Sequence, residues 1–140
     1  MDRGKQLFVL VVSSDRVIAA TLARVAQAGG YLAGSTLSAA TAVRIAGRMI
    51  VDAAIIDLPA HGPIRLDAAL ALQSAYADCR IVVVCSPSQL DEAALRAEES
   101  GLLCEFAVRP LSRAELLAKL AAAPGVPSQP QPWAGQLQAA

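Results

Sequence analysis

The chain has 140 residues, which suits one domain, and its 55% hydrophobic content lies above the ordinary globular range. Twelve basic residues balance twelve acidic ones, so no overall field draws the chain to nucleic acid or to an anionic membrane. The longest apolar runs, 7–12 and 81–85, are too short to span a bilayer, and the polar start Met1-Asp2-Arg3-Gly4-Lys5-Gln6 lacks a signal-peptide cleavage pattern; the expected location is the cytoplasm.

Residues 7–12 read as a strand that is apolar on both faces. Ser13-Ser14-Asp15 follows, and then Val17, Ile18, Leu22, Val25 and Ala26 at helical spacing. Ser14 or Asp15 can cap this helix, and Gly29-Gly30 closes it. Residues 31–36 form a weak strand. Ser38 caps a second helix with Val43, Ile45, Ala46 and Met49 on its apolar side.

The stretch 51–58 is a short, nearly all-apolar strand that delivers one carboxylate, Asp57, to its C-terminal end. A run apolar on both faces belongs in the middle of a parallel sheet covered by helices, and Pro59 stops it. The loop Pro59-Ala60-His61-Gly62-Pro63 leads into a third helix over 64–77, with Pro63 in its first turn. A valine-rich fourth strand covers 80–85, and Ser86-Pro87-Ser88 breaks it. Ser88 and Asp91 resemble a capping box for a fourth helix that ends at Gly101. A fifth strand spans 102–108 and stops at Arg109-Pro110-Leu111. Ser112 and Glu115 form a full capping box for a fifth helix that ends near Ala123. Residues 1–123 thus make one domain. Residues 124–140, rich in Pro, Gln, Gly and Ala, lack an apolar period and are expected to be a disordered tail interrupted by Trp133.

Five β-α units with short loops imply an α/β three-layer sandwich with a five-stranded parallel sheet, and the flavodoxin-like order 2-1-3-4-5 is the natural choice. Strands one and three are then neighbours at the switch point. Ser13, Ser14 and Asp15 stand beside Asp57, with Ser86 and Arg109 close by. The three cysteines, Cys79, Cys85 and Cys104, form no C-x-x-C or Cys/His cluster and read as buried reduced thiols; His61, the only histidine, reads as a loop residue.

On these residues the chain resembles the receiver domains of bacterial two-component response regulators, over about 7–120. The resemblance implies that Asp57 is the phosphoacceptor, Ser86 the hydroxyl ending strand four, and Phe106 the aromatic switch on strand five. Arg109-Pro110 stands where the family has Lys-Pro, often with a cis peptide bond. The family's acidic pair, which helps hold Mg²⁺, falls on Ser13 and Ser14, with Asp15 one position late. The implied metal set is therefore Asp57, the Pro59 carbonyl and Asp15, and the expected Mg²⁺ site is weakened, because magnesium favours carboxylate oxygens in octahedral geometry. Arg109 can pair with Asp57 directly or neutralise a phosphoryl group on it.

The expected function is a single-domain, non-enzymatic signalling module with an atypical site around Asp57. Its expected partners are a histidine kinase, a phosphotransferase or another signalling protein. The family's usual contact face, helix four to helix five, would include Leu90, Arg96, Phe106, Arg113 and Leu117, and would also serve a homodimer. The alternative is a fully competent phosphoacceptor that uses Asp57 with Mg²⁺. A third reading is a small-ligand binder, such as a flavin module, with anion-binding hydroxyls Ser13 and Ser14 at a helix N-terminus. DNA-binding output is not expected, since no helix-turn-helix follows Ala123 and the tail is not basic.

Overall fold

The computed structural model describes residues 6–122. Five strands alternate with five helices: β1 Phe8–Val12, α1 Arg16–Ala28, β2 Leu32–Thr36, α2 Ala39–Ala46, β3 Ala53–Asp57, α3 Asp67–Ala75, β4 Arg80–Cys85, α4 Leu90–Ser100, β5 Glu105–Val108 and α5 Arg113–Ala122. A single 3-10 turn, Pro87–Gln89, joins β4 to α4. All strand pairs are parallel and the order is β2-β1-β3-β4-β5, the flavodoxin-like arrangement. The tail and Trp133 lie outside the described residues.

Alternation along the strands divides the core into two layers. Leu10 and Val12, Ala54 and Ile56, and Ile81, Val83 and Cys85 pack on the side of α3 and α4. Val9 and Val11, Ala53 and Ile55, Val82 and Val84, and Ala107 pack on the side of α1 and α5. Every residue of β3 is buried, as its two-faced apolar run requires. Small residues let the helices approach closely. Helix α1 buries Ala19, Leu22, Ala23 and Ala26; α3 buries Ala68, Ala69 and Leu72; α4 buries Ala93 and Ala97.

Local signals set most boundaries. Asp15 caps α1 by accepting from the amides of Val17 and Ile18 at 2.9 and 3.0 Å. Ser38 caps α2 through the Thr41 amide. Ser112 and Glu115 exchange both bonds of a capping box at α5. Helix α4 ends at Gly101 with φ 77°, a left-handed cap.

The chain departs from its sequence pattern in five places, one of them β5, which starts at Glu105 and not at 102. Helix α3 begins at Asp67, because Ile64 and Leu66 reach the core from a non-helical segment and Pro63 therefore precedes the helix. Helix α2 buries Ala42, keeps Ile45 against the core and leaves Val43 exposed, and it ends before Met49, which is also exposed, so only part of the predicted apolar side faces inward. On α1, Val17 and Ile18 are likewise exposed, and the inward face is the alanine-rich one. Finally, the turn before α4 pairs Ser86 with Gln89, one pair earlier than Ser88 and Asp91.

Candidate functional site at the end of the central strand

The strand alternation that builds the core also assembles the site. Val9, Val11 and Ser13 share one face, as do Ala53, Ile55 and Asp57, and Ala107 and Arg109 continue it on β5. Ser13, Asp57 and Arg109 therefore emerge on the α1/α5 side at the C-terminal edge of the sheet. The registers bring Ser13 level with Asp57, with Val12 opposite Ile56, while Asp57 lies opposite Val84 and through it Ala107, so Arg109 stands two residues farther along and reaches back.

Asp57 is buried, with 8% of its surface exposed, and both carboxylate oxygens are engaged. The Ser13 hydroxyl donates to Oδ2 at 3.0 Å. Arg109 Nη1 donates to Oδ1 at 2.8 Å, a charge-assisted ion pair. Arg109 Nη2 donates to the Leu58 carbonyl, also at 2.8 Å, so the guanidinium clamps the strand exit at two points. The Arg109-Pro110 peptide bond is cis, as the resemblance implies. Burial pushes the Asp57 carboxyl above its ordinary range, with a smaller push from the nearby Asp15; the Ser13 hydrogen bond and the Arg109 charge oppose that rise without cancelling it.

The other predicted residues occupy the same rim in different roles. Ser14 and His61 are exposed. Asp15 turns Oδ1 onto the first amides of α1, and the amides that an anion would use at that helix end are taken by the chain's own carboxylate. Ser86 does not address Asp57: its hydroxyl donates to Gln89 Oε1 at 2.9 Å. The Pro59 carbonyl accepts from Gln89 Nε2 at 2.6 Å. Phe106 is half-buried against the α3/α4 core layer. On the predicted contact face, Leu90 is half-buried, Arg96 and Arg113 are exposed, and Arg96 pairs with Glu92 at 2.8 Å. Leu117 belongs elsewhere: it packs inward among the residues between α1 and α5, beside Gly29.

Gln89 is the residue that sequence reasoning missed. It is buried at 7% exposure and bridges the loops after β3 and β4. The spacing Ser86-x-x-Gln89 is itself a capping-box signal, which the neighbouring Ser88 and Asp91 obscured. Among the described residues, no three His, Cys, Asp or Glu side chains gather as a metal cluster. No helix among them is long and apolar enough to cross a membrane. Cys79 and Cys85 are buried and Cys104 half-buried; all three are free thiols.

No family model matches the chain, and no curated protein does. Solved structures do. A CheY-like response regulator receiver domain from Methanospirillum hungatei is 14% identical, with a TM-score of 0.71 over 84% of this chain and 92% of its own. A response regulator protein from Burkholderia pseudomallei, solved with a phosphorylated aspartic acid, a calcium ion and citrate, is 25% identical, with a TM-score of 0.67 over 96% of this chain and 72% of its own. A putative pilus assembly-related protein from the same organism is 26% identical, with a TM-score of 0.67 over 83% of this chain and 87% of its own. With its strand order and these neighbours, the chain has the flavodoxin-like, CheY-like fold of the response-regulator receiver domains.

Proposed function

We propose that this chain is a receiver-type module of a two-component phosphorelay that acts by protein–protein contact and whose site around Asp57 is atypical. The observation that carries this reading is the double engagement of the Asp57 carboxylate by Ser13 and Arg109. A guanidinium already supplies the positive charge that a receiver would draw from a divalent ion. The remaining donors argue the same way. Asp15 is committed to capping α1, the Pro59 carbonyl to Gln89, and Ser13 offers a neutral hydroxyl where a carboxylate would be expected. This donor set does not fit Mg²⁺, which favours one or two carboxylates in near-ideal octahedral geometry. The role we assign is therefore recognition, not turnover. The partner would be a histidine kinase, a phosphotransferase or another signalling protein in the cytoplasm, docking on Leu90, Arg96, Phe106 and Arg113, and the same face would serve a homodimer.

A second reading, a working phosphoacceptor, draws on the position of Asp57 at the carboxyl end of the central strand and on the Burkholderia response regulator whose aspartic acid is phosphorylated. Intact mass after incubation with acetyl phosphate and Mg²⁺ separates the two, with Asp57→Asn as control. The first reading expects no adduct. A phosphoryl adduct on the wild type that is absent from Asp57→Asn overturns it in favour of the second.

A further inference from the structure

Gln89 is an unusual buried polar residue because its amide orientation is fixed from both ends. The Ser86 backbone N–H can only donate, so the group 2.9 Å from it is Oε1. The Pro59 carbonyl can only accept, so the group 2.6 Å from it is Nε2. Oε1 takes a second bond from the Ser86 hydroxyl. One side chain thus joins three polar groups of two loops. One loop leaves β3 two residues after Asp57; the other leaves β4, the strand paired with β3, just before α4. Helix α4 starts at Leu90, the next residue, so its first turn is covalently tied to this amide.

We propose that Gln89 is a positioning residue that couples the tilt of α4 to the loop following Asp57, while holding the Ser86 hydroxyl away from the carboxylate. When α4 shifts, Gln89 shifts with it and either pulls on the Pro59 carbonyl or releases it. When the amide is withdrawn, the Ser86 hydroxyl and the Pro59 carbonyl are freed together. A protein docking on α4 thereby sets the state of the Asp57 rim without touching it. The inference takes from the proposed function only that this rim is the functional site. It does not depend on whether Asp57 carries a phosphoryl group.

The test is amide hydrogen exchange on the full chain, read at Ser86 and at Leu58, the first residue after Asp57, whose amide bonds to the Val84 carbonyl, with Val83 as a core reference. Gln89→Leu keeps bulk and removes every bond. Gln89→Glu keeps the acceptor for Ser86 and loses the donor for Pro59. The expected result is several-fold faster exchange at Leu58 in both variants, faster exchange at Ser86 only in Gln89→Leu, and an unchanged Val83. Coupling is tested with Ala94→Gly, an exposed α4 position where glycine loosens the helix. That change should speed exchange at Leu58 in the wild type and add nothing in the Gln89→Leu background. Equal responses with and without Gln89, or a Gln89→Leu loop that exchanges at the wild-type rate, would overturn the proposal. So would a uniform rise that includes Val83, which marks global loosening. A phosphorylation result contrary to the proposed function leaves these readouts standing, so the two failures are distinguishable.

Discussion

Arg109 Nη1 stands 2.8 Å from Asp57 Oδ1, while Nη2 of the same guanidinium holds the carbonyl of the next residue, Leu58. The planar fork makes both bonds at once, which a lysine ammonium on a single stem does not reproduce. Arg109→Ala should destabilise the domain by about 2–3 kcal/mol, below the range for breaking a fully buried pair, because the Arg109 side chain keeps 24% exposure while that of Asp57 keeps 5%. Arg109→Lys should recover part of this loss. Urea unfolding of the two variants beside wild type checks the order, and a Lys variant no better than Ala would contradict the two-point clamp.

The raised carboxyl of Asp57 gives a pH signature with a definite sign. Because the folded group holds its proton above the ordinary value of 3.8, the folded state binds more protons than the unfolded chain between that value and the folded one. The stability contribution of Asp57 therefore falls as pH rises through this window. Asp57→Asn should remove that slope. Urea midpoints of wild type and Asp57→Asn, measured from about pH 3.5 to 7, should converge on the acid side.

Ser13 works against that rise, so its loss should enhance it. Ser13→Ala should move the Asp57 titration further up and cost about 1.5 kcal/mol, the low end for a hydrogen bond to a charged group. Carboxyl carbon resonances of Asp57 followed by NMR across the titration report the shift directly. A downward movement would sink the assignment of Ser13 as a donor to the charged form.

The cysteines should be inert in the folded protein. Burial pushes the Cys79 and Cys104 thiols up to about 12, and burial also raises Cys85, so little thiolate exists near neutrality. A chromogenic disulfide reagent at neutral pH should react slowly with the native chain and with all three thiols once urea is added. Rapid native labelling of Cys79 would contradict the packing at the N-terminal edge of β4.

Gly29 offers a packing test away from the site. A Cβ there would stand 2.5 Å from Leu117 Cδ2, so Gly29→Ala must push that side chain aside. The expected loss is about 1 kcal/mol, the lower end for overpacking, because the obstacle is the far end of a flexible side chain. Thermal unfolding of Gly29→Ala alone and in a Leu117→Ala background should show the loss only in the first.

Strands β1, β3 and β4 and Asp57 were legible in the sequence because two-faced apolar runs leave little choice of structure, and because a carboxylate at the end of such a run has one exit; β2, with its Leu-Ala-Gly-Ser-Thr sequence, offered only a weak signal. The caps at Asp15, Ser38 and Ser112 were legible for a similar reason: each answers free amides within three residues. Helix faces were harder. Valine and isoleucine at positions 17, 18 and 43 carry the hydrophobic signal, yet alanines face the sheet, since close approach rewards small volume over apolar area. Half of the role of Gln89 was legible, since Ser86-x-x-Gln89 has capping-box spacing; the bond to the Pro59 carbonyl, thirty residues away, was not, because a polar residue in a turn looks solvated until the turn is seen.

Among α1, α3, α4 and α5, only α4 has a fully buried face made of alanine alone, Ala93 and Ala97. Two methyl groups are worth about 0.8 kcal/mol each on burial, far less than the leucines that root the other three helices. They also present no knob that must leave a hole before the helix can turn. Helix α4 therefore rests on the sheet as a flat plate on a table, while its neighbours are pegged. Rolling it by a few degrees requires no fully buried leucine to climb out of the core; only Leu90, half-buried in its first turn, must slide, so a visiting protein can reorient α4 at less cost than α1, α3 or α5.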